Sequence, residues 1–437
     1  MAAKSLNRRA ISSHKRSGWD GTDVNILVLI QRIRKAVKRI AKWALIAFAV
    51  LLVLGFLVCA EFFFGVAATS EPHTTGDISL PELSGSYPVG RRFIDWVDPS
   101  RPDPFYRSER RELVAAVWYP ADKTAANRTG TYLPGRRGEI AARLQSMMLR
   151  IRFQSYWSAV LRDPIPAHVL RSIQTHAVEN AAISTEQVKF PVLLFSPGLG
   201  AGPTEYSALL EDIASHGYVV VAVYPVGFVP VTSFESGRNA YASLWSTSLY
   251  SLEKDYMVWV RDVLSALDEM VRQNVNPLTP FFGKLDMTRV GAFGHSFGGS
   301  ASAGACHSDS RIGAGLNLDG GPQGAEAMWR FPQPFMLVQS GGSGKQWDDF
   351  LRKSSIGYRA VIHGATHHAF TDESILPVPE GRRKVKLLGN IGGPRMIQIT
   401  SSLVCAFFDV ALQGRPVGLL SQVSSQFPEV TIESVQK

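Results

Sequence analysis

The chain has 437 residues, 45% of them hydrophobic and 19% charged, with 38 Gly and 25 Pro. That balance excludes intrinsic disorder, collagen and coiled coil, and the length is enough for two to three average domains. Three cysteines exclude a disulfide-stapled scaffold and a multi-Cys zinc site. The net charge of +9 is confined to residues 1–42, which hold eleven Lys and Arg against two Asp and leave the rest neutral. A basic tail on a neutral body is a membrane or targeting signal, and no nucleic-acid partner is expected.

In chain order, the tail comes first. Ile26, Ile30, Ile33, Val37 and Ile40 recur at helical spacing within 24–41, with Arg32, Lys35, Lys38, Arg39 and Lys42 mostly on other faces. This is the pattern of a basic amphipathic helix at an anionic lipid surface; a solvated juxtamembrane helix is the plainer alternative. Trp43 to Ala60 then runs for 18 residues without a charge, eleven of them Leu, Ile, Val or Phe. As a helix it reaches roughly 27 Å, near the ~30 Å hydrocarbon core. The reading is one N-terminal transmembrane helix over 43–68, with a buried core helix or a cleaved signal peptide (small residues at 65–68) as alternatives. Lys and Arg crowd the amino side of the span, and none occurs in the twenty residues after Ala68. The positive-inside rule therefore places the amino terminus in the cytoplasm and the rest outside it, as a single-pass protein of the cell membrane.

Residues 69–90 are polar and rich in Pro and Gly and read as a linker into a domain over 91–437. There the periodicity predicts strands at 112–119, 190–196, 218–224, 289–293, 314–318, 334–339 and 358–362. Helices are predicted at 205–216, 252–273, 298–306 and 395–412. Continuous apolar runs such as VLLF and VVVAV suit strands buried on both faces. The alternation argues an α/β fold with one doubly wound, mostly parallel sheet. Two insertions interrupt it: 131–185, with Met147, Met148, Phe153, Tyr156 and Trp157, and 226–251, with Phe228, Val229, Phe234, Trp245 and Tyr250. Either could cover an apolar substrate or simply add packing.

The chemistry centres on Gly294-His295-Ser296-Phe297-Gly298, directly after a strand and before a small-residue helix. This is the context of a nucleophile elbow, where Gly294 and Gly298 permit the tight turn that exposes Ser296. A nucleophilic serine needs a base and an orienting acid, here in the order Ser, Asp or Glu, His. His367 is the preferred base, with His368 next and His363 at the strand end itself. Asp319, ending an apolar strand 23 residues after the serine, is the preferred acid, with Asp348 and Asp349 as runners-up. Backbone N–H groups of Phe297 and of Leu199, in the Gly-rich Pro197–Gly200 loop, are the expected oxyanion donors. No cofactor or metal is expected: no Cys or acid is spaced to complete a site around the histidines.

These residues resemble the plasma and intracellular platelet-activating factor acetylhydrolase family (group VII phospholipase A2), in a bacterial-type form. The matching pieces are FSPGLGAGPTEYSALLEDIASHGYVVVAV, GHSFGG, the Leu-Asp pair at 318–319, and Gly-Ala-Thr-His367 with Phe370 beyond, preceded by PVGRRFIDWVDPSRPDPF and ELVAAVWYPA. The resemblance covers about residues 86–412. It implies an α/β-hydrolase fold, a triad of Ser296, Asp319 and His367, an oxyanion hole of Leu199 and Phe297, and calcium-independent release of short acyl chains. Pro197 stands where animal members commonly carry His, and the 131–185 insertion is long.

The function expected is a membrane-anchored serine ester hydrolase acting on a phospholipid or related small-molecule or lipid ester. A general carboxylesterase, lipase or polyesterase keeps the same site with another substrate. A non-catalytic, membrane-tethered binding module is the non-enzyme alternative. Cys59, Cys306 and Cys405 read as small buried hydrophobes, a Cys306–Cys405 disulfide being the alternative. Asn127-Arg128-Thr129 is a glycosylation sequon in a host that glycosylates.

Overall fold

The computed structural model describes residues 33–43, 45, 48, 78–105, 109–153, 165–242, 252–321, 332–341, 345–378 and 382–435. The chain divides into two units, Met1–His73 and Thr74–Lys437. In the first, 33–43 is helical, as are Leu45 and Phe48, and Ile33, Val37 and Ile40 are exposed. The expected span over 43–68 otherwise lies outside the described residues. Among those residues one stretch, Lys384–Gln413, whose long helix is Gly393–Gln413, is long and apolar enough to cross a membrane. It is a core helix, because Leu403, Val404, Phe407 and Phe408 are buried against the sheet of the second unit.

That sheet has ten strands: β1 (Val89–Pro102), β2 (Arg110–Pro120), β3 (Ala177–Glu179), β4 (Phe190–Ser196), β5 (Val219–Val223), β6 (Leu285–His295), β7 (Ile312–Leu318), β8 (Phe335–Gln339), β9 (Gly357–Ile362) and β10 (Val430–Val435). Their order is β10-β9-β8-β7-β6-β4-β5-β2-β1-β3. Strands β5, β4, β6, β7, β8 and β9 are mutually parallel, while β2 and β10 join them antiparallel on the two sides. The sheet is therefore mixed α/β and mostly parallel in its centre.

Every residue of β4 and β5 is buried, which is why their sequences carry no polar alternation. Successive side chains go to opposite faces. Leu193, Phe195, Val220 and Phe293 join one core with helices α3 (Ser207–Ser215), α7 (Gly393–Gln413) and α8 (Gly418–Gln426). Val192, Leu194, Val221 and Ala292 join the other with α4 (Leu252–Val275), α5 (Phe297–Ser308) and α6 (Lys345–Leu351). Cys405 belongs to the first core and Cys306 to the second, both as buried free thiols, so the alternative disulfide is not formed. Burial pushes both thiols well up.

Sequence periodicity missed β1, β3 and β10. Residues 78–88 of the expected linker are not loose: Leu80 is buried, Ser79 bridges to Gln174, and Ser84 donates to Asp212. In the 131–185 insertion α1 (Gly135–Phe153) and α2 (Ala167–Ser172) form, and in the 226–251 insertion a short hairpin pairs 231–233 with 239–241. Tyr156, Trp157, Trp245 and Tyr250 lie outside the described residues. Asn127 of the sequon is exposed, with φ of 60°.

Candidate active site

The carboxyl ends of consecutive parallel strands converge here, as open α/β sheets arrange their ligand crevices. Ser296 follows β6 directly and opens α5, with φ 55° and ψ −125°. Its N–H donates to the Leu318 carbonyl (2.8 Å), and its own carbonyl accepts from Gly299 N–H (3.0 Å). The turn leaves no room around it: a Cβ on Gly298 would lie 2.1 Å from the Ser196 and Pro197 carbonyl oxygens, and one on Gly294 would lie 2.5 Å from Gly298. Glycine is thus required at both positions. The amino end of α5 points its unpaired N–H groups and partial positive charge at the serine.

His367 sits at the start of a 3-10 turn after β9, with its side chain 43% exposed. Its Nε2 is 2.9 Å from Ser296 Oγ, and its Nδ1 is 2.8 Å from Asp319 Oδ2. Asp319 follows β7, again at positive φ (54°), with its N–H donating to Val338 O. Ser340, just beyond β8, donates to the same carboxylate from its N–H (2.8 Å) and its hydroxyl (2.9 Å). Burial pushes the Asp319 carboxyl up, but the His367 ring and Ser340 donors outweigh it and hold it below the usual range. Asn317, two residues earlier, accepts from Gly320 N–H and fixes that turn.

The runners-up face elsewhere. His368 Nδ1 lies 3.6 Å from Glu373, and His363 Nε2 pairs with Thr431 Oγ1 on β10. Asp348 pairs with Arg359, and Asp349 with Arg352. The loop Pro197–Gly200 follows β4, and a Cβ at Gly198 would come 3.5 Å from Ser296 Cβ. Phe297 is buried and Leu199 half-exposed. No hydrogen bond among the described residues takes up the N–H of Leu199 or Phe297. Among the described residues no cluster of three His, Cys, Asp or Glu could hold a metal ion.

Three neighbours escaped the sequence reading. Ser340 carries no motif beyond being the first polar residue past a strand. His295 and Tyr206 lie inside recognisable motifs but have no assigned part in them. Beneath the His367 loop, Asp372 accepts from Tyr132 O–H (3.0 Å) and Ala208 N–H (3.2 Å) and is fully buried. Burial pushes its carboxyl up to about 7, against the pull of those donors. Nearby Glu211, on α3, is pushed up to about 8 by burial; Thr175 and Ala177 N–H supply its partners. Beside the Gly200–Glu205 stretch lies a small open cleft of about 50 Å³, lined by Leu144, Gln145 and Met148 of α1 and by Glu205, Tyr224 and Val229.

The sequence pattern of the family described as platelet-activating factor acetylhydrolase, isoform II, matches residues 73–225 and 264–415. A probable 1-alkyl-2-acetylglycerophosphocholine esterase of Arthroderma benhamiae is 27% identical over 87% of this chain and 99% of its own length. The platelet-activating factor acetylhydrolase of Cavia porcellus is 28% identical over 46% of this chain; the match spans about half of that relative, 52%. A solved ferulic acid esterase from Streptomyces cinnamoneus superposes with a TM-score of 0.63 at 28% identity, covering 82% of this chain and 99% of the esterase.

Proposed function

Because this chain belongs to the platelet-activating factor acetylhydrolase family, we propose that it is a serine ester hydrolase releasing short acyl groups from phospholipids or related esters. The observation that carries the chemistry is the unbroken hydrogen-bond chain from Ser296 Oγ through His367 to Asp319. In this reading His367 Nε2 takes the Ser296 proton as Oγ attacks the ester carbonyl. The tetrahedral oxyanion is held by the N–H groups of Leu199 and Phe297 beside the amino end of α5. His367 then gives its proton to the departing alcohol, leaving an acyl-serine. A water deprotonated by His367 attacks that acyl group and restores Ser296. Asp319, kept ionised by the His367 ring and the Ser340 donors, holds the imidazole with Nδ1–H toward it and Nε2 free to accept.

A second reading, a broader carboxylesterase, draws support from the structural likeness to the ferulic acid esterase. A panel of p-nitrophenyl esters from two to sixteen carbons, run beside sn-2 acetyl and long-chain phospholipids, separates the two. Preference for sn-2 acetyl phospholipid supports the first reading, and preference for aryl or long-chain esters the second. Fluorophosphonate labelling that is absent in Ser296→Ala tests the chemistry common to both. If Ser296→Ala keeps more than about a tenth of the rate, Ser296 is not the nucleophile.

The chain is further proposed to be anchored by one helix over 43–68, with its basic tail cytoplasmic against anionic lipid and the hydrolase domain outside. The asymmetry of Lys and Arg about the apolar run supports this.

A further inference from the structure

His295, the residue before Ser296, is 3% exposed and has both ring nitrogens engaged. Its Nδ1 lies 2.8 Å from Tyr206 Oη, and its Nε2 lies 3.0 Å from the backbone carbonyl of His367. Tyr206 Oη also accepts from Gly198 N–H at 3.0 Å. These contacts fix one hydrogen-bond arrangement. The carbonyl of His367 can only accept, so His295 carries its proton on Nε2. Nδ1 must then accept, and the Tyr206 hydroxyl donates to it while accepting from Gly198. Burial, with the neighbouring His367 ring next, lowers the His295 pKa to about 3, so the ring stays neutral wherever an esterase works.

The two ends of this chain are significant. Gly198 lies next to Leu199, the proposed oxyanion donor, and His367 is the proposed base. The two loops are far apart in sequence, one after β4 and the other after β9. Ring contacts tighten the join: His295 lies over His367 (4.6 Å between centroids) and near Phe370 (5.6 Å), while Tyr206 packs edge-on against Phe195 (5.0 Å). We propose that Tyr206 and His295 are positioning residues. Through Gly198 N–H, Tyr206 O–H, His295 and the His367 carbonyl they lock the oxyanion loop and the base loop in register about Ser296. The inference rests on the proposed Ser296 and His367 chemistry and adds a part that the triad does not contain.

Tyr206→Phe keeps the ring and its packing but deletes both hydrogen bonds. Gly198 N–H loses its acceptor and His295 Nδ1 its donor, so the oxyanion loop is no longer tied to the ring that holds the His367 carbonyl. The expected result is a kcat lowered about tenfold, the order of a lost buried hydrogen bond in a unit that must stay aligned. KM stays within about twofold, because ground-state binding surfaces are untouched. His295→Gln, whose amide N–H can still reach the His367 carbonyl, should retain more activity than His295→Leu. Tyr206→Phe combined with His295→Gln should lose less than the product of the single effects, since both cut the same chain. The downfield proton resonance of His367 Nδ1–H should shift or broaden in Tyr206→Phe, a change that lost packing alone would not produce.

Ser296→Ala run alongside separates the two levels. If Ser296→Ala stays active, the underlying chemistry is wrong. If Ser296→Ala is dead but Tyr206→Phe keeps its kcat within twofold, the chemistry stands and the positioning role falls. A rise in KM at constant kcat, or strict multiplicativity of the two substitutions, also overturns it.

Discussion

Asp319→Asn changes one atom and should silence the enzyme while leaving the fold in place. The carboxylate receives three donors: His367 Nδ1–H, Ser340 N–H and Ser340 O–H. An asparagine offers one acceptor oxygen and one NH2 group. The Ser340 backbone N–H cannot reverse its role, so the amide oxygen must face it and the NH2 group faces His367. That NH2 donates to Nδ1, which moves the imidazole proton to Nε2, 2.9 Å from Ser296 Oγ. The ring can then no longer accept the serine proton. If the amide flips instead, its NH2 meets the Ser340 N–H, and the donor clash costs about 1–3 kcal/mol. By analogy with the same substitution in a serine protease triad, kcat should fall about 10³- to 10⁴-fold, or about 4–5 kcal/mol of barrier. Stability should change by less than about 2 kcal/mol, because a lost charged acceptor is partly offset by a charge no longer buried. Steady-state hydrolysis of p-nitrophenyl acetate and a thermal melt on the same preparation measure both. A folded Asp319→Asn protein with kcat within tenfold of the parent would refute the tautomer reasoning.

Other outcomes follow from the same geometry. His367→Ala should match Ser296→Ala in hydrolysis and in labelling, whereas His368→Ala should keep most of the rate because its ring faces Glu373; the reverse ranking would hand the base role to His368. Glu211, held protonated up to about pH 8 in the fold, contributes stability present in full below about pH 4.5 and lost as the pH climbs to about 8. Glu211→Gln should reduce the fall in unfolding free energy between pH 5 and 7 by about 1.4 kcal/mol per pH unit. Asp372 would still contribute the same sign up to about pH 7, and an unchanged slope in denaturant titrations would show that Glu211 does not titrate there. A carboxyl-terminal alkaline phosphatase fusion should be active and a green fluorescent protein fusion dark; the opposite pair would put the hydrolase domain in the cytoplasm.

The strands at the centre of the sheet were legible because they are buried on both faces, and a run such as VVVAV admits few other readings. The elbow was legible because its glycines, serine and following helix are contiguous. β1 was hidden by Arg91, a fully buried charge near the amino end of the strand. Its guanidinium is matched to Glu179 and to the carbonyls of Thr131 and Tyr132, partners supplied by the 131–185 insertion. No local pattern announces such a match. β10 is a short edge strand in which only Val430 is buried. Ser340, Tyr206 and His295 were missed for a related reason: their roles arise between strands neighbouring in the sheet but distant in sequence.

Ser296 and Asp319 share a backbone peculiarity, φ of 55° and 54° in residues with a Cβ. Such positions cost about 1–3 kcal/mol each, a sizeable part of the ~5–15 kcal/mol that separates a folded domain from its unfolded chain. Glycine would relax both. A directed-evolution campaign scored on thermal resistance alone would therefore be drawn to positions 296 and 319, and each gain there would remove the chemistry. Among the described residues only Asn127 and Asn180 share that backbone sign outside Gly, and asparagine tolerates it better than serine, so a stability scan made without any substrate would have Ser296 stand out at the proposed reaction centre.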